Sequence, residues 1–195
     1  VCITGDLVDG SVAGIGADVA RLAKLRATYG VAFSTGNHEY YSGVWPWLEF
    51  LEGLGFHVLK NQRIAIGDKG PKGASFDLAG IHDRQGVRFH PSLIPNVELA
   101  LQGRDPEREL LMMAHQPVQI ELAEGAGVGL QLSGHTHGGQ VWPFGIATRL
   151  AQPYIKGHHV HQDGTQIYVS CGAGYWGPPL RVGAPPEVAS IILTS

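Results

Sequence analysis

Four short blocks, met in order along the chain, gather the residue types that bind metal ions and move protons: Gly5-Asp6-Leu7-Val8-Asp9-Gly10, Gly36-Asn37-His38-Glu39, His115, and Gly134-His135-Thr136-His137-Gly138-Gly139-Gln140. Carboxylate, amide oxygen and imidazole make a donor set that suits borderline divalent ions such as manganese, iron or zinc better than a thiolate site would. Taken singly, each block has a plainer explanation. Asp-Gly or Asn-His in a loop usually just makes a turn, and a lone histidine is more often a satisfied structural residue. Four such blocks, each directly after a predicted strand, are hard to account for as turns, because open α/β sheets build their sites at the carboxyl ends of strands. The glycines allow tight turns through which side chains and backbone converge on one point.

The elements that must hold these blocks are short apolar runs alternating with helical patterns. Strands are predicted at residues 1–4 and 31–34 with a helix at 19–27 between them, a βαβ unit. A second helix at 44–54 has Ser42 as its cap, Pro46 in its first turn and Gly55 at its end. Strands follow at 57–59, 63–66 and 75–79, then a short helix at 97–101, a strongly apolar strand at 109–114, a helix at 117–123 and a strand at 130–133. Residues 158–162 and 165–170, joined by Asp163-Gly164, predict a β-hairpin, because that dipeptide suits a tight primed turn. Residues 188–193 are read as a closing strand, and the Gly/Pro-rich 172–186 as a shaped loop.

At 195 residues the chain is long enough for the full core of one domain. Its 14 Lys+Arg against 17 Asp+Glu argue against a broad basic face for nucleic acid or anionic membranes. No segment approaches the ~18 consecutive apolar residues of a membrane helix. Cys2 and Cys171 each sit in an apolar run without a partner at metal-ligand spacing, so both are expected to be buried free thiols, which leaves the compartment open.

The blocks and their order closely resemble the calcineurin-like metallophosphoesterases, whose blocks read Asp-x-His, Gly-Asp-x-x-Asp, Gly-Asn-His-Glu, His and Gly-His-x-His. The resemblance runs over nearly the whole chain. Gly134–Gln140, with Asn37-His38-Glu39-Tyr40-Tyr41 before it and Gly174-Tyr175-Trp176-Gly177-Pro178-Pro179-Leu180-Arg181 after it, is similar to the bacterial YkuE/YaeI-type phosphodiesterase branch. It implies an α/β fold of two mixed β-sheets packed as a sandwich flanked by helices. One block is absent, since no Asp-x-His precedes Asp6. Residues 1–195 are therefore expected to be a single metallophosphoesterase domain that lacks its first strand, with a strand ending in Asp-x-His upstream of Val1. Relatives in this branch often carry an N-terminal membrane anchor or export signal, which would also lie there.

Carried over residue by residue, the resemblance makes Asp6 a bridging carboxylate, with Asn37, His115 and His135 completing the second metal's ligands and His137 going to the first. Two divalent ions about 3.5–4 Å apart can lower the pKa of a bridging water and stabilise the phosphoryl oxygens during in-line attack. His38 would sit over the scissile bond as electrostatic stabiliser or general acid, with Asp9 orienting it; the plainer role for Asp9 is a turn residue bonding its own backbone. The implied activity is hydrolysis of phosphate esters, foremost diesters, lipid-linked or nucleotide. A sugar-nucleotide or lipid pyrophosphatase and a phosphoprotein phosphatase are alternatives. A binding module that kept the fold and lost the chemistry is a different class of reading, against which the intact Asn37-His38 and His135-Thr136-His137 argue.

Other residues carry weaker signals. Tyr40, Tyr41, Trp176 and Arg181 are candidates for a substrate-facing rim, Arg181 through a bidentate phosphate contact. Asp83 leaves a strand and either lines the site or belongs to a solvated loop. His57, His90, His158, His159 and His161 have no partner spacing and read as surface or hairpin residues. Trp45 and Trp47 flank Pro46 and either pack or face a lipid interface.

Overall fold

The run Leu110-Leu111-Met112-Met113 is apolar at every position, and the computed structural model, which describes residues 1–67 and 75–194, shows why. It is the centre of a strand covered on both faces. Leu110 and Met112 pack with Ala79, Ile120, Ile167 and Val169 on one side, while Met113 and Leu111 meet Leu78, Leu132, Ala32 and Leu59 on the other. A strand that is buried on both faces loses the polar alternation of a half-exposed one.

Among the described residues, nine strands form two sheets. The smaller, in the order β1 (Cys2–Ile3), β2 (Ala32–Phe33), β3 (His57–Val58), is parallel throughout. The larger runs β4 (Gln62–Gly67), β5 (Ser75–Gly80), β6 (Glu109–Met113), β7 (Leu130–Ser133), β9 (Gln166–Val169), β8 (Gly157–Val160). Its central members β5, β6, β7 and β9 are parallel, and β4 and β8 are antiparallel edges. Ala32 and Leu59 join the core shared with the larger sheet, so the two sheets pack face to face. Helices α1 (Val12–Val19) and α3 (Val44–Gly53) cover the outer face of the small sheet through Val19, Trp47, Leu48 and Leu51. Helix α4 (Val97–Leu101) and the 3-10 helix Pro117–Leu122 cover the outer face of the large one. This is the α/β architecture of two helix-flanked sheets. Among the described residues no helix is long and apolar enough to cross a membrane.

Three local expectations are corrected. The first helix occupies Val12–Val19 and passes into a 3-10 turn at Ala20–Lys24, where 19–27 was expected. Ser11 caps it by accepting from the Gly14 amide, a start signal masked by Gly14 and Gly16 inside the helix. Residues 188–193 do not form a strand among the described residues; Val188 and Ile192 lie open to solvent and the run pairs with nothing. Cys171 is buried, but Cys2 is exposed, because β1 is an edge strand with that residue turned outward. The hairpin forms as read, with Asp163 accepting from the Thr165 amide and Gly164 at φ 91°.

Two short helices were not anticipated. Helix α2 (Asn37–Tyr41) begins inside the second polar block, and α5 (Phe144–Ala151) follows Pro143 and contains Gly145, both poor helix signals. Every strand that precedes a polar block, β1, β2, β6 and β7, runs parallel within its sheet, so the blocks emerge at carboxyl ends.

The first two blocks pack with no room for a side chain between them. Gly5, at φ 84°, stands so close that a Cβ built on it would lie 2.2 Å from the Gly36 nitrogen, and one on Gly36 would lie 2.3 Å from Asp6 Oδ1. Gly5→Ala should therefore destabilise the fold by about 2–4 kcal/mol, from overpacking together with a left-handed φ. Gly14→Ala, in helix α1 with only ordinary contacts around its Cβ, should be neutral or stabilising by up to ~1 kcal/mol. Urea unfolding of the two variants checks the contrast, and equal effects would contradict it.

Candidate metal centre

Asp6 sits on the loop after β1 at φ 53°, in the left-handed region that non-glycine residues rarely adopt. His135 (φ 68°) and His137 (φ 51°), after β7, share that strain. Each such residue costs on the order of 1–2 kcal/mol, which the surrounding bonds must offset. For Asp6 they are visible. The side chain of Glu39, wholly buried in helix α2, accepts from the amides of Gly36 (2.6 Å), Asp6 (3.0 Å) and Leu7 (2.7 Å). Asp6 Oδ1 in turn accepts from the His38 amide at 2.9 Å. Two loops from neighbouring parallel strands are thus bound into one unit.

The other oxygen of that carboxylate faces histidine. Asp6 Oδ2 lies 3.0 Å from His115 Nε2, and His115 Nε2 lies 3.2 Å from His135 Nδ1. The three donor atoms fall within 4.8 Å of one another. His115 Nδ1–H donates to the Thr4 carbonyl at 2.6 Å, which turns Nε2 toward the cluster. Asn37 Oδ1, from the residue between Gly36 and His38, is buried and has no hydrogen-bond partner among the described residues. A buried acceptor left without a partner costs about 1–3 kcal/mol, so it calls for an occupant. Carboxylate, two imidazole nitrogens and an amide oxygen without a partner fit a divalent cation.

Asp6 and His115 are electrostatically coupled. Burial alone would raise the Asp6 pKa, but His115 beside it and the His38 amide hold it well below the usual carboxylate range. His115 is pushed up to about 9: burial works against its charged form, and Asp6 outweighs burial. Burial and the neighbouring His115 press His135 down to about 3, which keeps its ring neutral.

Not every candidate joins the cluster. His137 lies outside the three-residue group, and Arg181 donates to its Nδ1 at 3.2 Å. Burial and Arg181 both lower the His137 pKa. His38 Nδ1–H donates to Asp9 Oδ1 at 3.3 Å, and its ring meets Tyr41 edge-on at 5.7 Å.

Two rim assignments are corrected. Tyr40 is buried, its hydroxyl bonded to Thr35 Oγ1 (2.8 Å) and His82 Nδ1 (3.2 Å), so Tyr41, 57% exposed, is the tyrosine that reaches the surface. The guanidinium of Arg181 is committed to the backbone carbonyls of Cys171, Gly172, Gly174, His137 and Ala184. Its donors tie the 172–186 loop to the His137 turn and are not free for a bidentate phosphate contact. Trp176 is half exposed and held through its backbone by the Gln140 amide.

Asp83 is buried, not solvated: it accepts from the Gln85 amide and from Gln116, and burial raises its pKa. Trp47 packs, its indole donating to the Gly10 carbonyl, while Trp45 is half exposed. His158, His159 and His161 belong to the hairpin. Glu39 is the functional residue that sequence reasoning passed over, although its spacing of three from Gly36 is that of a capping box.

A profile of the calcineurin-like phosphoesterases matches residues 1–139. The chain is 42% identical over 194 residues to an uncharacterized metallophosphoesterase of Helicobacter pylori, covering 99% of this chain and 50% of that one. It is 36% identical over 198 residues to a transmembrane protein with metallophosphoesterase domain of Bos taurus, covering 98% and 45%. To the uncharacterized metallophosphoesterase YkuE of Bacillus subtilis it is 30% identical over 204 residues, covering 100% and 68%. The chain thus spans about half the length of the first two relatives.

Glu39→Gln keeps the shape of the side chain but turns an NH2 toward amides that need an acceptor. It should cost roughly 2–4 kcal/mol, the sum of one or two buried amides left without partners. Glu52→Gln, at a partly exposed site, should cost under ~0.5 kcal/mol. Chemical denaturation measures both; a loss below ~1 kcal/mol for Glu39→Gln would show that the two loops hold together without it.

Proposed function

The chain belongs to the calcineurin-like phosphoesterase family, and on that premise we propose that it hydrolyses phosphodiesters at a centre of two divalent metal ions. The observation that carries the reading is the convergence of donors from Asp6, His115 and His135, with the buried Asn37 Oδ1, which has no partner among the described residues, on the residue next to His38, whose amide bonds Asp6. These four residues would hold one ion, and Asp6 with His137 would contribute to a second. Bound there, such ions supply Lewis acidity toward phosphoryl oxygens and lower the pKa of water. The preference for diesters rests on the resemblance of Gly134–Gln140 and its companion blocks to one phosphodiesterase branch.

The protein's own residues then do the following. Asp6, kept ionised and fixed by the His38 amide, presents Oδ2 in a constant position. The Thr4 carbonyl, bonded to Nδ1, orients the His115 ring so that Nε2 faces Asp6. Asp9 accepts the Nδ1 proton of His38, so Nε2 of that partly exposed ring is the atom left to deliver a proton to a departing ester oxygen.

His38→Ala should lower kcat on bis-p-nitrophenyl phosphate by about 10²–10⁴-fold while manganese content stays the same, since a general acid contributes on that scale and is not a ligand. Asp9→Asn should give a smaller defect, and the double variant should be little worse than His38→Ala. Chelation with EDTA should abolish turnover and added manganese restore it. Metal loss in His38→Ala, or additive losses in the double variant, would remove His38 from this role.

A further inference from the structure

A cleft of about 320 Å³ opens beside the candidate centre, with His135 in one wall and Arg84, Arg88, Gln116 and Gln152 among its other lining residues. No carboxylate lines it. Arg84 and Arg88 are exposed and, like Arg149 outside the cleft, have no carboxylate or carbonyl partner among the described residues; what distinguishes them is that both line this cleft. Arg63 and Arg108 flank Asp77, Arg21 meets Asp18, and Arg26, Arg104 and Arg181 donate to carbonyls.

The two arginines are also positioned. They begin and end the 3-10 helix Arg84–Arg88, whose base is fixed from behind: Asp83 Oδ1 takes the Gln85 amide and the Gln116 side chain, and a Cβ on Gly86 would lie 2.0 Å from the Leu93 carbonyl. Gln116 is held in turn by Gln152 at 3.2 Å. Two exposed guanidinium groups on a rigid turn, in a concave wall without counter-charge, form a site for an oxyanion. It is continuous with the centre through His135.

We propose that Arg84 and Arg88 form a second anion subsite, which takes a phosphate group carried on the arm of the substrate beyond the phosphorus attacked. The substrate class is then a phosphate ester with a further phosphate, a refinement that rests on the hydrolase reading above. The attacked group would lie over Asp6, His115 and His135, and the further phosphate would be read by the arginines.

Two matched chromogenic diesters test it: thymidine 5′-(p-nitrophenyl phosphate) and the same compound with a 3′-phosphate. The intact protein should prefer the second, and R84A/R88A should lose about tenfold or more of that preference, the scale of lost hydrogen bonds to a charged group. R84K/R88K should keep part of it, and R149A, an exposed arginine outside the cleft, all of it. A preference unchanged in R84A/R88A would overturn the subsite. Calorimetric titration with methylenediphosphonate in EDTA separates this from the catalytic reading: binding that R84A/R88A loses upholds the subsite even if neither ester is cleaved. Absent or unaltered binding refutes it. Flotation with phosphatidic acid vesicles, on the same variants, tells a lipid-borne phosphate from a soluble one.

Discussion

A single buried carboxylate sets the relation between the two loops on which the candidate centre depends. Glu39 gathers amides from its own helix start and from the loop after β1, and Gly5 and Gly36 let the two backbones come within contact distance. Without that approach Asp6 could not hold a left-handed φ and still receive the His38 amide. The carboxylate that faces His115 is therefore placed by backbone geometry, whereas a freely rotating side chain would have to lose rotamer entropy to reach the same position.

The remaining parts of the site depend on the same principle, a polar group fixed by bonds made behind it. His115 is turned by the Thr4 carbonyl, His38 by Asp9, and the 3-10 helix bearing Arg84 and Arg88 by Asp83. On the far side, Arg181 and Gln140 bind the 172–186 loop to the turn that carries His137. Buried polar networks of this kind are costly when incomplete, and the places where this one is incomplete are informative. Asn37 Oδ1 lacks a partner among the described residues, one position before the His38 amide that bonds Asp6.

Much of this was legible in the sequence, and the failures have physical causes. The strand β6 was readable because a strand buried on both faces is continuously apolar at its centre, and the polar blocks followed the strands in order. The first helix was displaced because glycines at 14 and 16 hide its periodicity, and 188–193 looked like a strand because apolar patterning says nothing about whether a partner strand is there. Tyr40 and Tyr41 are adjacent in sequence, yet the helix turns one into the core and one to the surface, a distinction that needs the phase of α2. Charge alone makes Arg181 a candidate phosphate ligand and does not reveal that carbonyls already saturate its guanidinium. Arg84 and Arg88 gave no motif; only the cleft wall joins them to His135.

The central claim is that Asp6, Asn37, His115 and His135 together hold a divalent cation. Anomalous diffraction from crystals equilibrated with manganese tests it most directly. The account predicts an anomalous peak within coordinating distance of Asp6 Oδ2, His115 Nε2, His135 Nδ1 and Asn37 Oδ1. A peak elsewhere, or Asn37 turned away from an ion bound by the other three, would contradict it.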